Sequence, residues 1–166
     1  MEFSIRTLMP DDWPAVRAIY LEGIASGIST FEVEAPDWDR WDQGHRQNCR
    51  LVAMSPDDRI LGWAALNQTS KRSAYCGVAE VSIYISITAR GKGVGKVLLS
   101  RLVQDSEQDG IWTLQAGIFT ENEASIRLHT ACGFRLVGRR ERIAKLNSTW
   151  RDTVLMERRS SVVGVE

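Results

Sequence analysis

The chain has 166 residues, of which 43% are hydrophobic and 25% are charged, and this predicts one compact domain over 1–158 with a flexible polar tail over 159–166. The 21 Lys and Arg residues balance the 21 Asp and Glu residues, for a formal net charge of zero, so we expect neither nucleic acid nor an anionic membrane as a partner. No apolar segment resembles a secretory signal or reaches the roughly 18 residues of a membrane span, which favours a cytoplasmic protein.

Apolar periodicity predicts strands and helices in alternation along the first half of the chain. Alternating residues indicate strands, and apolar residues at helical spacing after Pro10 indicate a helix. The expected elements are a strand over 3–6, a helix that begins near Trp13, a short helix within 37–48, a hairpin of strands over 51–54 and 60–66, and a polar loop over 67–76.

The second half continues with a strand that is rich in β-branched and aromatic residues, followed by a glycine-rich segment that opens a helix. Neither the three cysteines nor the two histidines have disulfide or metal-ligand spacing, so we expect no metal site. The expected elements are a strand over 79–86, a helix from Val94, a strand over 112–118, a helix over 122–131, and strands over 134–137 and 149–156.

The glycine-rich segment, Arg90-Gly91-Lys92-Gly93-Val94-Gly95-Lys96, is the most informative part of the sequence. Glycines allow the backbone to approach a ligand closely, and free amide N–H groups at a helix N-terminus form an anion site. A diphosphate fits such a site. The alternative is a glycine-rich turn without a ligand, but three glycines with three basic residues exceed what a turn requires.

Two familiar nucleotide loops do not match this segment. A Walker loop needs a glycine five residues before the glycine of the final glycine-lysine pair and a hydroxyl residue after that pair, and this chain has Arg90 and Val97 at those positions. The dinucleotide fingerprint needs a third glycine or alanine where Lys96 or Leu98 stands. The segment therefore indicates a different phosphate-bearing ligand.

The strand over 80–86 followed by Arg90-x-x-Gly93-x-Gly95 resembles the signature of the GNAT superfamily of N-acetyltransferases. The segment from Asn122 to Phe134 is similar to the second coenzyme-contacting helix of the same family. A narrower resemblance is to the phosphinothricin-type and methionine sulfone or sulfoximine N-acetyltransferases. It is carried by Ser29-Thr30-Phe31-Glu32, residues 79–85, Ser125-Ile126-Arg127-Leu128-His129 and Trp150-Arg151-Asp152.

The resemblance implies an α/β fold, with a central mixed, mostly antiparallel sheet flanked by helices in a single domain. It implies that the sheet is splayed between the Glu80 strand and the Trp112 strand so that acetyl-CoA can enter. It also implies a homodimer, and direct acetyl transfer to the primary amine of a small amino-acid-like molecule without a covalent enzyme intermediate. The coenzyme contacts that it implies are Ile83, Tyr84, Ile85, Arg90, Gly91, Lys92, Gly93, Val94, Gly95, Lys96, Asn122 and Ser125.

Glu80 is the candidate general base, because an alkylammonium acceptor must lose a proton before it attacks the thioester. It stands in an otherwise apolar strand, and the resemblance implies that it acts through a water; the alternative is an ordinary strand carboxylate. His129 stands where most of the family has tyrosine and is the candidate contact for the leaving thiolate, or its acid, unless it is structural. Asn122 is expected to hydrogen-bond the pantetheine amide or the bound substrate, and the alternative is that it serves only as a helix N-cap.

The acceptor wall is predicted from Phe31 and Glu32 together with the loop residues Lys71, Arg72, Ser73 and Tyr75. A cation there could bind a substrate carboxylate, although lysine and arginine in a loop are usually only solvated. The six tryptophans are expected in the core and not in a binding cage. Two other functions stay open at this point: acetylation of a protein N-terminus or lysine, and a non-catalytic acyl-CoA sensor.

Overall fold

The computed structural model describes all residues from 1 to 166 and contains seven strands and four helices. Three short 3-10 turns, at Pro10–Asp12, Ser73–Tyr75 and Ile87–Ala89, complete the regular structure. The strands are β1 (Ser4–Thr7), β2 (Leu51–Met54), β3 (Ile60–Gln68), β4 (Val78–Ile85), β5 (Thr113–Phe119), β6 (Arg135–Leu146) and β7 (Thr149–Arg159), and the helices are α1 (Trp13–Ser26), α2 (Trp38–Gly44), α3 (Val94–Gln108) and α4 (Glu123–Ala131).

All seven strands form one sheet, in the order β1-β2-β3-β4-β5-β7-β6. Every neighbouring pair is antiparallel except β4 and β5, which are parallel. These two strands pair only over Val78–Glu80 and Thr113–Gln115 and then separate. The predicted α/β fold, with a mixed, mostly antiparallel sheet splayed between these strands, is therefore confirmed.

The sheet is covered on both faces at strand β3, whose central residues are buried on both sides. Trp63 and Ala65 point to a core cluster that includes Val16 and Ile19 of α1. Ala64 and Leu66 point to the opposite cluster, which includes the apolar face of α3. Alternate residues of a strand face opposite sides of the sheet, so these two sets of side chains are buried against different helices. Burial of each large apolar side chain stabilises the fold by about 1.5 to 3 kcal/mol.

Strand β6 is longer than the sequence predicts, since only residues 134–137 show a strand pattern. It lies at the edge of the sheet, and nearly all its residues are exposed or half-buried. A bulge between Arg140 and Ala144 also interrupts its register with β7. An edge strand that faces solvent needs no alternation of apolar and polar residues, so its polar half carries no recognisable pattern.

The chain after residue 158 makes several contacts in the structure. The backbone N–H of Ser160 donates to the Trp112 carbonyl at 2.8 Å, and its hydroxyl donates to Glu107 at 2.9 Å. Arg159 donates to the Val163 carbonyl at 2.7 Å. The domain limits of 1–158 and the flexible tail stay predictions. None of the helices combines the length and the apolar composition that a bilayer crossing requires.

Candidate active site

A cleft of about 1160 Å³ opens where β4 and β5 separate. It extends from the N-terminus of α3, past the exposed edge of β4, to α2 and the loop that precedes it. Most of the site residues that the sequence predicts line this one cleft. They are Phe31, Glu32, Glu80, Ile83, Tyr84, Ile85, Arg90, Gly91, Gly93, Val94, Gly95, Lys96, Asn122, Ser125 and His129.

The glycine-rich loop adopts the backbone that an anion site at the start of α3 requires. Gly91 and Gly93 have φ values of +71° and +83°, in the left-handed region that favours glycine. Gly93 is the N-cap of α3, whose first amides point out of the helix without intrahelical partners. A Cβ at Gly95 would lie 3.2 Å from Leu128, so this glycine allows α3 and α4 to pack closely beside the cleft.

The edge of β4 that faces β5 has no strand partner from Val81 to Ile85, because the parallel pairing ends at Glu80. On its other edge, β4 stays paired with β3 as far as Ile85. A rigid strand therefore presents free backbone groups to the cleft. Such groups can bind the amides of an extended ligand or the oxygen of a polarised carbonyl.

Glu80 lies at the point where the two strands part, and its side chain is exposed in the cleft. It is more exposed than the other residues of β4, which are buried or half-buried, because the splay removes the neighbouring strand just beyond residue 80. The side-chain amide of Gln115, the residue paired with Glu80 in the sheet, donates a hydrogen bond to Glu80 Oε2 at 3.4 Å.

Asn122 caps α4, since its Oδ1 accepts a hydrogen bond from the backbone N–H of Ser125 at 3.2 Å. Its Nδ2 donates to the carbonyl of Ile28, on the far side of the cleft, at 3.2 Å. The amide thus serves as the N-cap that the sequence left open and also contacts the loop before α2. The role of Asn122 and Ser125 in coenzyme binding stays a prediction.

His129 is 2% exposed and lies on α4 with the edge of its ring against Phe134. Its Nδ1 lies 2.8 Å from the carbonyl of Ser125. A carbonyl only accepts, so Nδ1 carries the proton and Nε2 has the free lone pair. Burial lowers the pKa of this imidazole, and Nε2 has no hydrogen-bond partner. The structure thus favours a neutral histidine, which has no proton to give at Nε2.

Two tyrosines form the wall opposite α4. The rings of Tyr20 and Tyr84 are 4.9 Å apart, and both side chains line the cleft. Burial raises the pKa of both phenols. Both hydroxyls therefore stay protonated near neutral pH.

Five predicted site residues lie outside the cleft lining: Lys71, Arg72, Ser73, Tyr75 and Lys92. The ammonium of Lys92 donates to the Thr88 carbonyl at 2.7 Å. Strands β3 and β4 stay paired up to Gln68 and Ala79, so the connection between them projects beyond the end of the sheet. The structure of this single chain therefore does not bring the 71–75 segment to the site, and its part in acceptor binding stays a prediction.

Sequence reasoning missed several residues that line the cleft. Gln115 and Gly117 could have been found, because a splay beside β5 must expose its inner edge. Arg40, Trp41 and His45 of the α2 region carry no motif and reach the cleft only through the tertiary fold. Other cleft residues that were not predicted include Tyr20, Ser82, Phe119, Arg127, Leu128, Thr153 and the residues of 67–69.

Comparison with known proteins agrees with this geometry. Residues 5–155 match the model of the acetyltransferase (GNAT) domain family. The chain is 36% identical to a phosphinothricin N-acetyltransferase of Alcaligenes faecalis, over 93% of this chain and 81% of that protein. It is 29% identical to an L-methionine sulfoximine/L-methionine sulfone acetyltransferase of Pseudomonas aeruginosa, over 95% of this chain and 94% of that one.

A solved structure is also similar throughout. The crystal structure of a GNAT superfamily phosphinothricin acetyltransferase from Sinorhizobium meliloti, in complex with AcCoA, superposes with a TM-score of 0.89 at 30% identity and covers 100% of this chain and 92% of that one. The resemblance found in the sequence is confirmed. The family match spans nearly the whole chain and the fold is the same, so this chain belongs to the GNAT acetyltransferase family and is an N-acetyltransferase.

Proposed function

We propose that this enzyme transfers the acetyl group of acetyl-CoA to the primary amine of a small amino-acid-like acceptor, of the phosphinothricin, methionine sulfone or methionine sulfoximine type. The observation that carries the proposal is one continuous cleft, which joins the amides at the start of α3 to the carboxylate of Glu80. The names of the Alcaligenes and Pseudomonas relatives support this acceptor class.

The coenzyme would lie with its diphosphate on the loop from Arg90 to Lys96, where free amides and the positive end of the α3 dipole meet it. The side chains of Arg90 and Lys96 line the cleft and add positive charge. The pantetheine arm would extend along the unpaired edge of β4 at Ile83–Ile85. No metal is part of this proposal, since the spacing of the cysteines and histidines predicts none.

Transfer would begin when Glu80 takes a proton from the acceptor ammonium through a water. The free amine attacks the thioester carbonyl, and backbone donors of β4 stabilise the oxygen that gains negative charge. The tetrahedral intermediate then collapses to the amide and releases the coenzyme as a thiolate. No enzyme group forms a covalent bond, so the reaction proceeds in a ternary complex.

His129 is proposed as a contact of the coenzyme or of its leaving group, because it lies on the cleft side of α4. Its neutral state argues for a contact and against a resident acid. A thiol has a pKa of about 8.5, so the released thiolate can take its proton from solvent or from the acceptor.

The acceptor would bind between the aromatic wall of Phe31 and the carboxylates of Glu32 and Glu80, all of which line the cleft. Two carboxylates attract an ammonium group and orient it towards the thioester. Homodimerisation and a cytoplasmic location are part of the same proposal, the first from the family resemblance and the second from the sequence.

A panel of amines tests the proposal, with release of coenzyme A thiol as the signal. Phosphinothricin, methionine sulfone and methionine sulfoximine should be acetylated with far higher kcat/KM than polyamines or peptides. Turnover of peptides alone would overturn the acceptor class. An enzyme that binds acetyl-CoA in calorimetry but acetylates no amine would overturn the catalytic proposal in favour of a sensor.

A further inference from the structure

The loop between α1 and α2, residues 27–37, forms one wall of the acceptor end of the cleft; we call it the acceptor loop. Two side chains from the opposite side of the cleft hold two successive carbonyls of this loop. Arg151 of β7 donates from Nη1 to the Gly27 carbonyl at 2.9 Å. Asn122 donates to the Ile28 carbonyl at 3.2 Å. The start of the loop is therefore fixed to the half of the sheet that lies beyond the splay.

Arg151 also supports the loop through an aromatic stack. Its guanidinium carbon lies 4.5 Å from the centre of the Phe119 ring, and the Phe119 ring centre lies 4.6 Å from that of Phe31. Phe119 is 3% exposed, so it cannot move away without disturbing the core. Arg151, Phe119 and Phe31 thus form one row, which begins behind the cleft and ends at the predicted acceptor wall.

The guanidinium is itself held in place, because its other terminal nitrogen donates to Glu121 at 3.4 Å and its side chain is only 16% exposed. A planar guanidinium can stack on a ring and donate to two acceptors at the same time. Lysine keeps the positive charge, but its ammonium group is not planar and cannot stack on a ring while it donates to two acceptors. The position therefore depends on arginine geometry and not on charge alone.

Arg151 does not line the cleft, and it contacts no residue of the phosphate loop from Arg90 to Lys96. We propose that Arg151 is a positioning residue for the amine acceptor, which fixes Phe31 and Glu32 through the Gly27 carbonyl and the Phe119 ring without touching either substrate. This inference rests on the proposed function. Arg151 therefore affects the affinity for the acceptor although it lies outside the cleft, and the affinity for the coenzyme depends on the opposite end of the site.

The test compares Arg151→Lys with Arg139→Lys in the holoenzyme, with methionine sulfone as the acceptor. Arg139 lies on the neighbouring strand β6 and pairs with Asp152, but its side chain is 60% exposed and donates to Asp152 and not to the acceptor loop. We expect Arg151→Lys to raise the KM for methionine sulfone at least fivefold and to leave the KM for acetyl-CoA within twofold. Arg139→Lys should change neither constant.

A double variant with Phe31→Leu shows whether Arg151 acts through the aromatic row. If it does, Arg151→Lys adds little to the rise in acceptor KM that Phe31→Leu already causes. Effects on the acceptor KM that multiply would overturn the part of the inference that runs through the aromatic row, and an equal rise in both KM values would overturn the inference as a whole. Should Arg151→Lys not fold, Phe119→Leu carries the test, and it must raise the acceptor KM alone.

The outcomes also separate this inference from the proposed function. If the wild-type enzyme acetylates no member of the amine panel, the proposed function is wrong. If the wild type is active and Arg151→Lys has the same acceptor KM, only the positioning role is wrong. The slow thiol release from acetyl-CoA without acceptor should stay equal in the wild type and in Arg151→Lys, because no acceptor contact is involved.

Discussion

The carboxylate of Glu80 accepts a hydrogen bond from Gln115 at 3.4 Å, at the last position where β4 and β5 are paired. One residue further along, the two strands separate and the cleft begins. The position of the proposed base is therefore set by sheet pairing, which is rigid, and its exposure is set by the splay. A general base needs both a fixed position and access to the acceptor.

Replacement of Glu80 by Gln should reduce kcat by about 10²- to 10⁴-fold, the range typical of a lost general base. Glutamine keeps the size of the side chain and can still pair with Gln115, so the Kd for acetyl-CoA in calorimetry should stay within about twofold. A variant with full kcat would exclude Glu80 as the base.

The phosphate loop offers a prediction with a matched control. Gly93 and Gly110 have φ values of +83° and +77°, and a Cβ added to either would have no neighbour within 4 Å. Alanine at either position therefore costs backbone strain, about 1 to 2 kcal/mol, without a clash. Both variants should lose this much stability in urea unfolding.

Only Gly93→Ala should also weaken the binding of acetyl-CoA, because Gly93 lines the cleft whereas Gly110 does not. Relief of the strain by a shift of the loop would turn the amides away from the diphosphate, and a loss of about 1.4 kcal/mol would raise Kd about tenfold. Equal Kd values for the two variants would show that these amides do not bind the coenzyme.

The phosphate loop could be predicted because its chemistry is local: the residues from Arg90 to Lys96 are consecutive and their glycines have one physical explanation. The acceptor end could be predicted only in part. Phe31 and Glu32 reach the cleft, but the 71–75 segment was assigned to it from its charges alone and lies outside.

The contacts that complete the acceptor end connect residues far apart in the chain. Phe31 meets Phe119, and Gly27 meets Arg151, across more than half of the sequence. No periodicity or spacing encodes such pairs, because they depend on how β5 and β7 pair and on where the loop after α1 crosses the splay. The same holds for Gln115, which gains its partner only through the parallel pairing of β4 and β5.

The neutral state of His129 predicts how stability changes with pH. Burial lowers the pKa of this imidazole in the folded chain, whereas in the unfolded chain it stays near 6.5. Below about pH 6.5 the unfolded chain therefore binds more protons, and stability falls as the pH falls, by at most about 1.4 kcal/mol per pH unit. Urea unfolding between about pH 7.5 and pH 5.5 measures this slope.

In His129→Gln the slope should become smaller but not vanish, because burial also lowers the pKa of His45, the other histidine. His45→Gln should remove most of the remainder, since carboxyl groups with lowered pKa, such as those of Glu107 and Glu121, contribute only towards the acid end of this range. An unchanged slope in His129→Gln would mean that the pKa of His129 is the same in the folded and unfolded chains, so that burial does not favour its neutral form.

Arg50 packs against the α2 region, which forms one side of the cleft, and holds it through several contacts. Its side chain is 7% exposed, forms an ion pair with Asp42, and donates to the carbonyls of Arg46 at 2.6 Å and of His45 at 3.0 Å. Its guanidinium also lies 5.2 Å from the ring centre of Trp41, which lines the cleft. A buried cation with this many partners stabilises the segment only as long as each partner is satisfied.

Replacement of Arg50 by Met should therefore cost at least about 2 kcal/mol, because it removes the donor to the carbonyls of Asp42, His45 and Arg46 and leaves the Asp42 carboxylate without its ion pair. The control is Arg59→Met, which breaks the ion pair between Arg59 and Asp57. The two side chains of this pair are 70% and 62% exposed, respectively. Exposed pairs contribute little, so this variant should stay within about 0.5 kcal/mol of the wild type. Thermal unfolding should place the two about 5 °C apart. If both variants unfold at the same temperature, the α2 wall does not depend on Arg50.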